Sequence, residues 1–350
     1  MSQKTVVVAG ALGVAGRAML HELEHRPDVQ IIALSRRKPD FVTRAKFIAL
    51  DLTDPAACDA ESGELASATH LVFAAYSPAP TLAEEVPPNL AMLVSLVSTL
   101  DRVAPRLRHV SLVQGSKWYG NHLGPFRTPA REDDPRHMPP NFYYDQQDWL
   151  SVFQVGRRWT WSSWRPHGLC GVSVGSAMNQ LHAIALYATI SKELGLPLRF
   201  PGHPGAFRAV YQFTDATLLA RAMLWASDRP ECANQAFNIN NGDYDRWENI
   251  WPAIAADFGM EQGPVQSISL ARMMADKEPL WAKICQRHGL RPYPLGQLVN
   301  WSFADWVYSS SFDQMSSLAK VRRAGWHEVL EPDAMFRSLF ARMREERLIP

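Results

Sequence analysis

Gly10, Gly13 and Gly16 stand three residues apart just after the β-branched run Val6-Val7-Val8, and Met19, Leu20 and Leu23 follow at helical spacing. Strand, glycine turn and helix in that order can cradle a dinucleotide. Glycine lets the backbone take angles closed to other residues, and a helix N-terminus offers unpaired N–H groups to a diphosphate. Spacing alone does not decide the matter, since glycine turns also serve close packing, but the flanking strand and helix supply the context the motif needs. A second strand, Val29 to Leu34, runs into Ser35-Arg36-Arg37-Lys38 with no carboxylate at its end. A site for NAD places an Asp or Glu there to accept from the ribose hydroxyls, whereas a guanidinium matches a 2′-phosphate by charge-assisted hydrogen bonds. The expected cofactor is NADP(H).

Chemistry at a nicotinamide needs a proton donor beside it. A phenol with an amine four residues on, sharing one helix face, is one way to build it, because the ammonium lowers the phenol pKa. No Tyr-x-x-x-Lys occurs in this chain; Tyr143 is followed by Gln147. The nearest ammonium is Lys117, in Gly115-Ser116-Lys117-Trp118-Tyr119-Gly120, just past a fifth strand. A parallel sheet brings that strand end beside the first turn of a helix opening at Tyr143.

The elements that must position these groups alternate through the first half. Phe47 to Leu50 reads as a third strand, His70 to Tyr76 as a fourth, Asn89 to Leu100 as a helix and His109 to Gln114 as the fifth strand. Residues 120–142 carry prolines and charges without periodicity and read as an extended surface loop. Tyr143 to Val155 is helical and Trp159 to Arg165 a sixth strand. Beyond Gly171, Met178 to Leu194 and Asp215 to Ala226 read as helices, with a loop at 195–205 between them, and the chain from Met260 on is helix-rich and aromatic. Alternating strands and helices predict an α/β fold, a Rossmann-type doubly wound parallel sheet. Residues 1–170 are expected to form the nucleotide-binding core, with further core elements at about 206–240. Residues 171–350 are expected to form mainly a smaller, mostly helical lid over the strand ends where ligands of such sheets bind.

Composition narrows the class. The 350 residues include 36 Lys plus Arg against 35 Asp plus Glu, so no net field points to a nucleic-acid partner. No apolar run is long enough to span a bilayer, so no membrane partner is expected. Lys4 ahead of an apolar run imitates a secretion signal, but the glycines and Arg17 interrupt it. Cys58, Cys170, Cys232 and Cys285 lie far apart, with neither metal spacing nor a disulfide framework, which fits a reducing, cytoplasmic setting. His122, His137, His167 and His203 also lack metal spacing and read as loop or surface groups.

The chain resembles the progesterone 5β-reductase and iridoid synthase-like family, an atypical extended group of short-chain dehydrogenases/reductases. The resemblance is carried by the glycine loop, Ser35-Arg36-Arg37, Gly115-x-Lys117-x-Tyr119 with Gly124-Pro125-Phe126, and Asn141-Phe142-Tyr143-Tyr144. Arg165-Pro166, Ala236-Phe237-Asn238 and Asn241-Gly242-Asp243 extend it over about residues 5–260. It implies that Lys117 and Tyr143 are catalytic, and that hydride passes from the nicotinamide to the β-carbon of an enone or enal, a small apolar α,β-unsaturated carbonyl substrate. It further implies cofactor contacts along Gly10, Leu12, Gly13, Val14 and Gly16 for the diphosphate. Ser35, Arg36 and Arg37 would take the adenosine phosphate, and Asp51 and Leu52 the adenine edge. Ala75 and Tyr76 would lie near the inner ribose, Gln114 and Tyr143 would also contact the cofactor, and Pro166 and Leu169 would meet the carboxamide, with Ser176 and Met178 closing over the cofactor. Trp118, Phe142, Phe207 and Trp301 are candidate walls of the substrate pocket, Met178 beside them. No metal site is expected, and a homodimer is left open. One position departs from the family: Gln147-Asp148 stands where its members usually have Glu-Asp, keeping size and hydrogen bonding but losing a charge.

Two other readings remain open at this stage. One is a carbonyl reductase, or an epimerase or dehydratase, on the same fold. The other is a protein that binds NADP(H) and a partner without catalysis.

Overall fold

The computed structural model describes residues 3–176 and 178–350. Its framework is a seven-stranded sheet built from β1 (Lys4–Ala9), β2 (Val29–Ser35), β3 (Lys46–Ala49), β4 (His70–Phe73), β5 (His109–Val113), β6 (Thr160–Pro166) and β10 (Gln235–Ile239). The order across the sheet is β10-β6-β5-β4-β1-β2-β3, and every neighbouring pair is parallel. Val6, Val7 and Val8 are fully buried because both faces of the sheet are covered, which is why the strand reads as an unbroken apolar run. Two short pairs stand apart from it: β7 (Leu169–Cys170) with β9 (Thr214–Asp215), and β8 (Val210–Tyr211) with β11 (Asp245–Arg246).

On one face, α1 (Val14–Glu24) packs against α8 (Ala216–Ala226) through Ala15, Met19, Leu219 and Met223. On the other lie α2 (Pro55–Ala60), α3 (Ser62–Leu65), α4 (Leu82–Val103) and α5 (Phe142–Gln154), closed around Leu93, Leu96, Leu100 and Leu150. Burying each such side chain contributes about 1.5–3 kcal/mol. A third cluster joins α6 (Gln180–Glu193), α7 (Pro204–Arg208), α9 (Trp247–Asp257), α10 (Leu270–Met273), α11 (Glu278–His288), α12 (Leu295–Leu298), α13 (Trp301–Ser309) and α15 (Pro332–Glu345) around Phe200, Phe213, Trp247 and Phe336. Between α13 and α15, α14 (Ala319–Arg323) returns to the sheet beside β10.

Several expectations need correction. The helix expected at Asn89 starts at Leu82, because Thr81 and Glu84 form a reciprocal capping box, and Pro87 and Pro88 lie inside it. The fourth strand ends at Phe73 rather than Tyr76, where the chain leaves the sheet beside Gly10. Pro204 opens α7 inside the stretch read as a loop. Residues 120–141 are irregular, but they are not merely superficial: Asn121, Ala130 and Asn141 are buried, and Ala130 pairs with the Met315–Ser317 backbone. His167 is likewise buried, not a surface group.

Candidate active site

The strand order reverses between β1 and β4, and ligands of such sheets bind in the crevice beyond the strand ends at that point. Gly10 lies there with φ +73°, and a Cβ on it would stand 2.6 Å from the Ala74 carbonyl oxygen. Gly16 is tighter still, its would-be Cβ only 2.2 Å from the Gly10 oxygen. Gly13 differs: the nearest atom to a Cβ there is 3.4 Å away, so packing does not demand glycine. Gly13 is also the N-cap of α1, with no side-chain cap and no acid in the first turn. The helix therefore begins with uncapped N–H groups beside open space, a fitting receptor for a diphosphate. Leu12, Val14 and Gly16 are buried around that turn.

At the end of β2, Ser35 is half-buried and Arg36 and Arg37 are exposed. Arg37 donates to the Val174 carbonyl at 2.9 Å, and its guanidinium lies over Gly175. Asp51 accepts from the Thr53 N–H and hydroxyl, which hold its carboxyl below the usual range, with Arg36 adding a smaller pull. Leu52 is buried beside it. Ala75 and Tyr76 are half-buried on the loop that meets Gly10, and Leu169 pairs with Thr214 in the short β7–β9 ladder. Ser176 is half-buried and Met178 is exposed.

Tyr143 sits at the second position of α5, and its hydroxyl reaches the ends of β5 and β6. A Cβ on Gly115 would lie 3.2 Å from that hydroxyl and 3.7 Å from the Pro166 carbonyl oxygen. Lys117 follows two residues after Gly115, in the 3-10 turn Ser116–Tyr119. Asn141 ties the two segments: its Nδ2 donates to the Lys117 carbonyl at 2.8 Å, and its Oδ1 accepts from the Tyr143 N–H at 3.1 Å. Gln114 adds a donation to the Tyr143 carbonyl at 2.8 Å. The residues from the two separate stretches are thus neighbours.

Their electrostatics are not those of a Tyr–Lys pair. Burial, and then the negative charge of Glu85, push the Tyr143 phenol above its ordinary value. The Lys117 charge falls instead on His122, which burial, Lys117 and His137 together push down to about 4. Glu85 is buried on α4 and accepts from the Tyr76 hydroxyl, and the Tyr76 ring stacks on Phe142 at 5.7 Å. Phe142 in turn lies 4.4 Å from Tyr143, ring to ring. Glu85 escaped the sequence reading, and Asn141, quoted there as part of a motif, was given no role of its own. A helix started at Asn89 leaves Glu85 outside it, although Thr81-x-x-Glu84 is a legible start signal, as is Asn141 ahead of Phe142.

The expected pocket walls separate. Trp118 is buried: the Arg165 guanidinium lies 3.6 Å from its ring and Tyr144 meets it edge-on at 4.8 Å, so packing occupies it and it is no open wall. Phe142 remains beside the phenol. Phe207 and Trp301 are half-buried at the margin of the C-terminal cluster. Gln147 accepts from Ser163 at 3.0 Å and from Arg165 at 3.2 Å, so the hydrogen bonds survive without the carboxylate charge. Two cavities, of about 530 and 610 Å³, open elsewhere, one beside Arg17 and Arg342 and the other beside Lys192 and Phe258. Among the described residues there is no metal-binding cluster, and no helix is long and apolar enough to cross a membrane.

The PRISE-like Rossmann-fold domain model matches residues 53–350. The chain belongs to that family. Among its relatives, a short chain dehydrogenase, gsfE, from Penicillium aethiopicum is 32% identical over 99% of this chain and 99% of its own. An (S)-8-oxocitronellyl enol synthase from Catharanthus roseus is 30% identical, covering 100% of this chain and 93% of its own. Solved structures agree in fold: a UDP-glucose 4-epimerase from Thermotoga maritima superposes with a TM-score of 0.69 at 14% identity, over 97% of this chain and 99% of its own. The Bordetella bronchiseptica enzyme WbmG, solved with NAD, gives 0.68 at 13% identity, over 99% of this chain and 96% of its own. Membership in the PRISE-like family and these relatives support an oxidoreductase of the short-chain dehydrogenase type.

Proposed function

We propose that this PRISE-like chain is an NADPH-dependent reductase of activated C=C bonds, adding hydride in the 1,4 sense to small apolar enones or enals. The observation that carries the reading is the Tyr143 hydroxyl at the ends of β5 and β6, with Gln147 and no lysine four residues on. An epimerase that begins by oxidising an alcohol needs a base, and a phenol with no lysine four residues on to lower its pKa is a poor one. A neutral phenol is instead a fitting donor to an oxyanion. The enol synthase relative is named for an enol, the product class that 1,4-addition to an enal yields.

The glycine turn with the start of α1 would hold the diphosphate, and Arg36 and Arg37 the 2′-phosphate; the missing carboxylate after β2 favours NADP(H) over NAD. When bound, the reduced nicotinamide supplies hydride to the β-carbon of the substrate. Tyr143 donates a hydrogen bond to the carbonyl oxygen as enolate charge develops there. Asn141 and Gln114 fix the backbone from which the phenol projects. Lys117 assists from the adjoining turn. In this reading residues 1–170 are the cofactor core and 171–350 mainly the substrate lid, and the four buried cysteines suit a cytoplasmic setting.

Incubation with NADPH and 2-cyclohexen-1-one tests it. A saturated ketone supports 1,4-reduction, an allylic alcohol means carbonyl reduction, and NADPH binding without oxidation across a carbonyl panel means a binding protein.

A further inference from the structure

After β7 the chain forms a strap, residues 171–176, between the glycine turn and the end of β2. At its near end Gly171 packs on the first residue of α1: a Cβ there would stand 3.0 Å from Val14 Cγ1 and 2.8 Å from Ala216 Cβ. At its far end the Val174 carbonyl accepts from the Arg37 guanidinium at 2.9 Å. Gly175, with φ +76°, lets that guanidinium close in, because a Cβ on it would overlap both terminal nitrogens. The strap therefore reaches from the turn proposed for the diphosphate to an arginine proposed for the 2′-phosphate. Asn179, the N-cap of α6, donates to the Gly171 carbonyl at 2.8 Å and fixes the base of the strap to a helix of the C-terminal cluster.

A third segment completes the joint. Gly175 donates to the Gln297 carbonyl of α12 at 3.0 Å. Just before α12, Arg291 donates to the Asp40 carbonyl at 2.7 Å and pairs with its carboxylate at 3.1 Å, and the Tyr293 hydroxyl donates to that carboxylate at 2.7 Å. Trp281 donates to the Tyr293 carbonyl at 2.9 Å and roots the segment in the C-terminal cluster. The loop after β2, the strap and residues 291–297 thus meet at one place, although they are far apart in sequence. Of the two arginines after β2, Arg37 is the one built into this joint.

We propose that Arg37 is a positioning residue that ties the adenosine 2′-phosphate to the strap, so that NADP(H) fastens residues 172–176 over the crevice and NAD(H) does not. A guanidinium carries more N–H donors than one carbonyl can use, so Arg37 can hold Val174 and a phosphate together. The phosphate bond is charge-assisted and fixes the guanidinium in place, and the strap is fixed with it. By linkage, a fastened strap in turn retains the phosphate. Arg36 then serves as a phosphate ligand alone. The inference rests on the proposed NADP(H) reading and extends it: the choice of cofactor is registered by the lid as well as by the loop that binds it.

Hydrogen exchange of the Gly175 amide in the full chain tests the proposal, because that N–H is released only when the strap opens locally. The probes are adenosine 2′,5′-bisphosphate and AMP, each at saturation, which differ only in the 2′-phosphate. The bisphosphate is expected to slow the exchange about 3- to 10-fold more than AMP does, the worth of one hydrogen bond. Equal exchange with the two probes overturns the proposal without any variant having to fold. Without ligand, Arg37→Met is expected to speed the exchange by a similar factor, and Arg36→Met to leave it unchanged. Equal effects of the two substitutions, or none from Arg37→Met, overturn the latch. No arm needs turnover. A bisphosphate-dependent strap in a chain that reduces no enone would reject the proposed reaction and leave Arg37 in its role; enone reduction with NADPH beside equal exchange would do the reverse.

Discussion

Asn141 donates to the carbonyl of Lys117 while the same side chain caps the N–H of Tyr143, so one amide joins the turn after β5 to the first turn of α5. The juxtaposition of these two segments is therefore set at the main chain.

Asn141→Asp keeps the capping acceptor and loses the donor. The expected stability cost is about 1 kcal/mol, the net worth of one hydrogen bond, with a larger fractional loss in kcat because the turn is released. Asn141→Ala also removes the cap and should cost about 1–2 kcal/mol more. Urea denaturation beside steady-state kinetics separates the two effects; equal kcat in wild type and Asn141→Asp would deny the tie a functional role.

Tyr143→Phe removes the donor to the enolate. Turnover should fall about 100- to 1000-fold, while NADPH affinity, measured by fluorescence titration, stays near wild type. Full activity in this variant would take Tyr143 out of the mechanism.

The three glycines should respond differently. Gly16→Ala drives a methyl into the Gly10 carbonyl and should destabilise the fold strongly. Gly13→Ala meets nothing closer than 3.4 Å, so the thermal midpoint should barely move while NADPH affinity falls. An unaltered affinity in Gly13→Ala would mean that the diphosphate does not approach this turn.

Arg36→Ala should weaken NADPH binding by about 10- to 100-fold, the loss of a charge-assisted hydrogen bond, and leave NADH binding unchanged. Equal losses for both cofactors would refute a contact with the 2′-phosphate.

Acid should destabilise the chain in a defined window. Burial pushes His109 down to about 3 and both His167 and His182 to about 4, from an ordinary 6.5. Above pH 6.5 these groups are neutral in the folded and unfolded chain alike. Below it the unfolded chain takes up protons that the folded chain refuses, so stability drops as pH falls towards 4, by up to about 1.4 kcal/mol per pH unit for each histidine. Urea midpoints measured from neutral pH downwards should decline through that window; a flat profile would contradict the burial.

The parallel sheet was legible where its strands are apolar and buried on both faces: Val6 to Val8 announce β1 by composition alone, and β2 follows the same logic, whereas β5 and β6 bury polar residues such as His109, Ser162 and Arg165. The glycine turn was legible because Gly10 and Gly16 answer steric demands that no other residue meets. What escaped depends on contacts remote in sequence. Pro87 and Pro88 masked two helical turns and with them Glu85. The burial of Trp118 depends on Arg165, 47 positions away, and the stretch after Gly120 is fastened by partners such as Ser316 that local pattern cannot reveal. Family resemblance supplied Lys117 and Tyr143 as a pair, but not the hydrogen bonds by which Asn141 ties their two segments together.

Gln114 and Asn141 both hold their targets through peptide oxygens, atoms that every amino acid carries. Exchanging the side chain at 117 or 143 leaves those fastenings in place. The scaffold can thus accept a different reactive group at either position, which makes it an adaptable starting point for building activities other than its own.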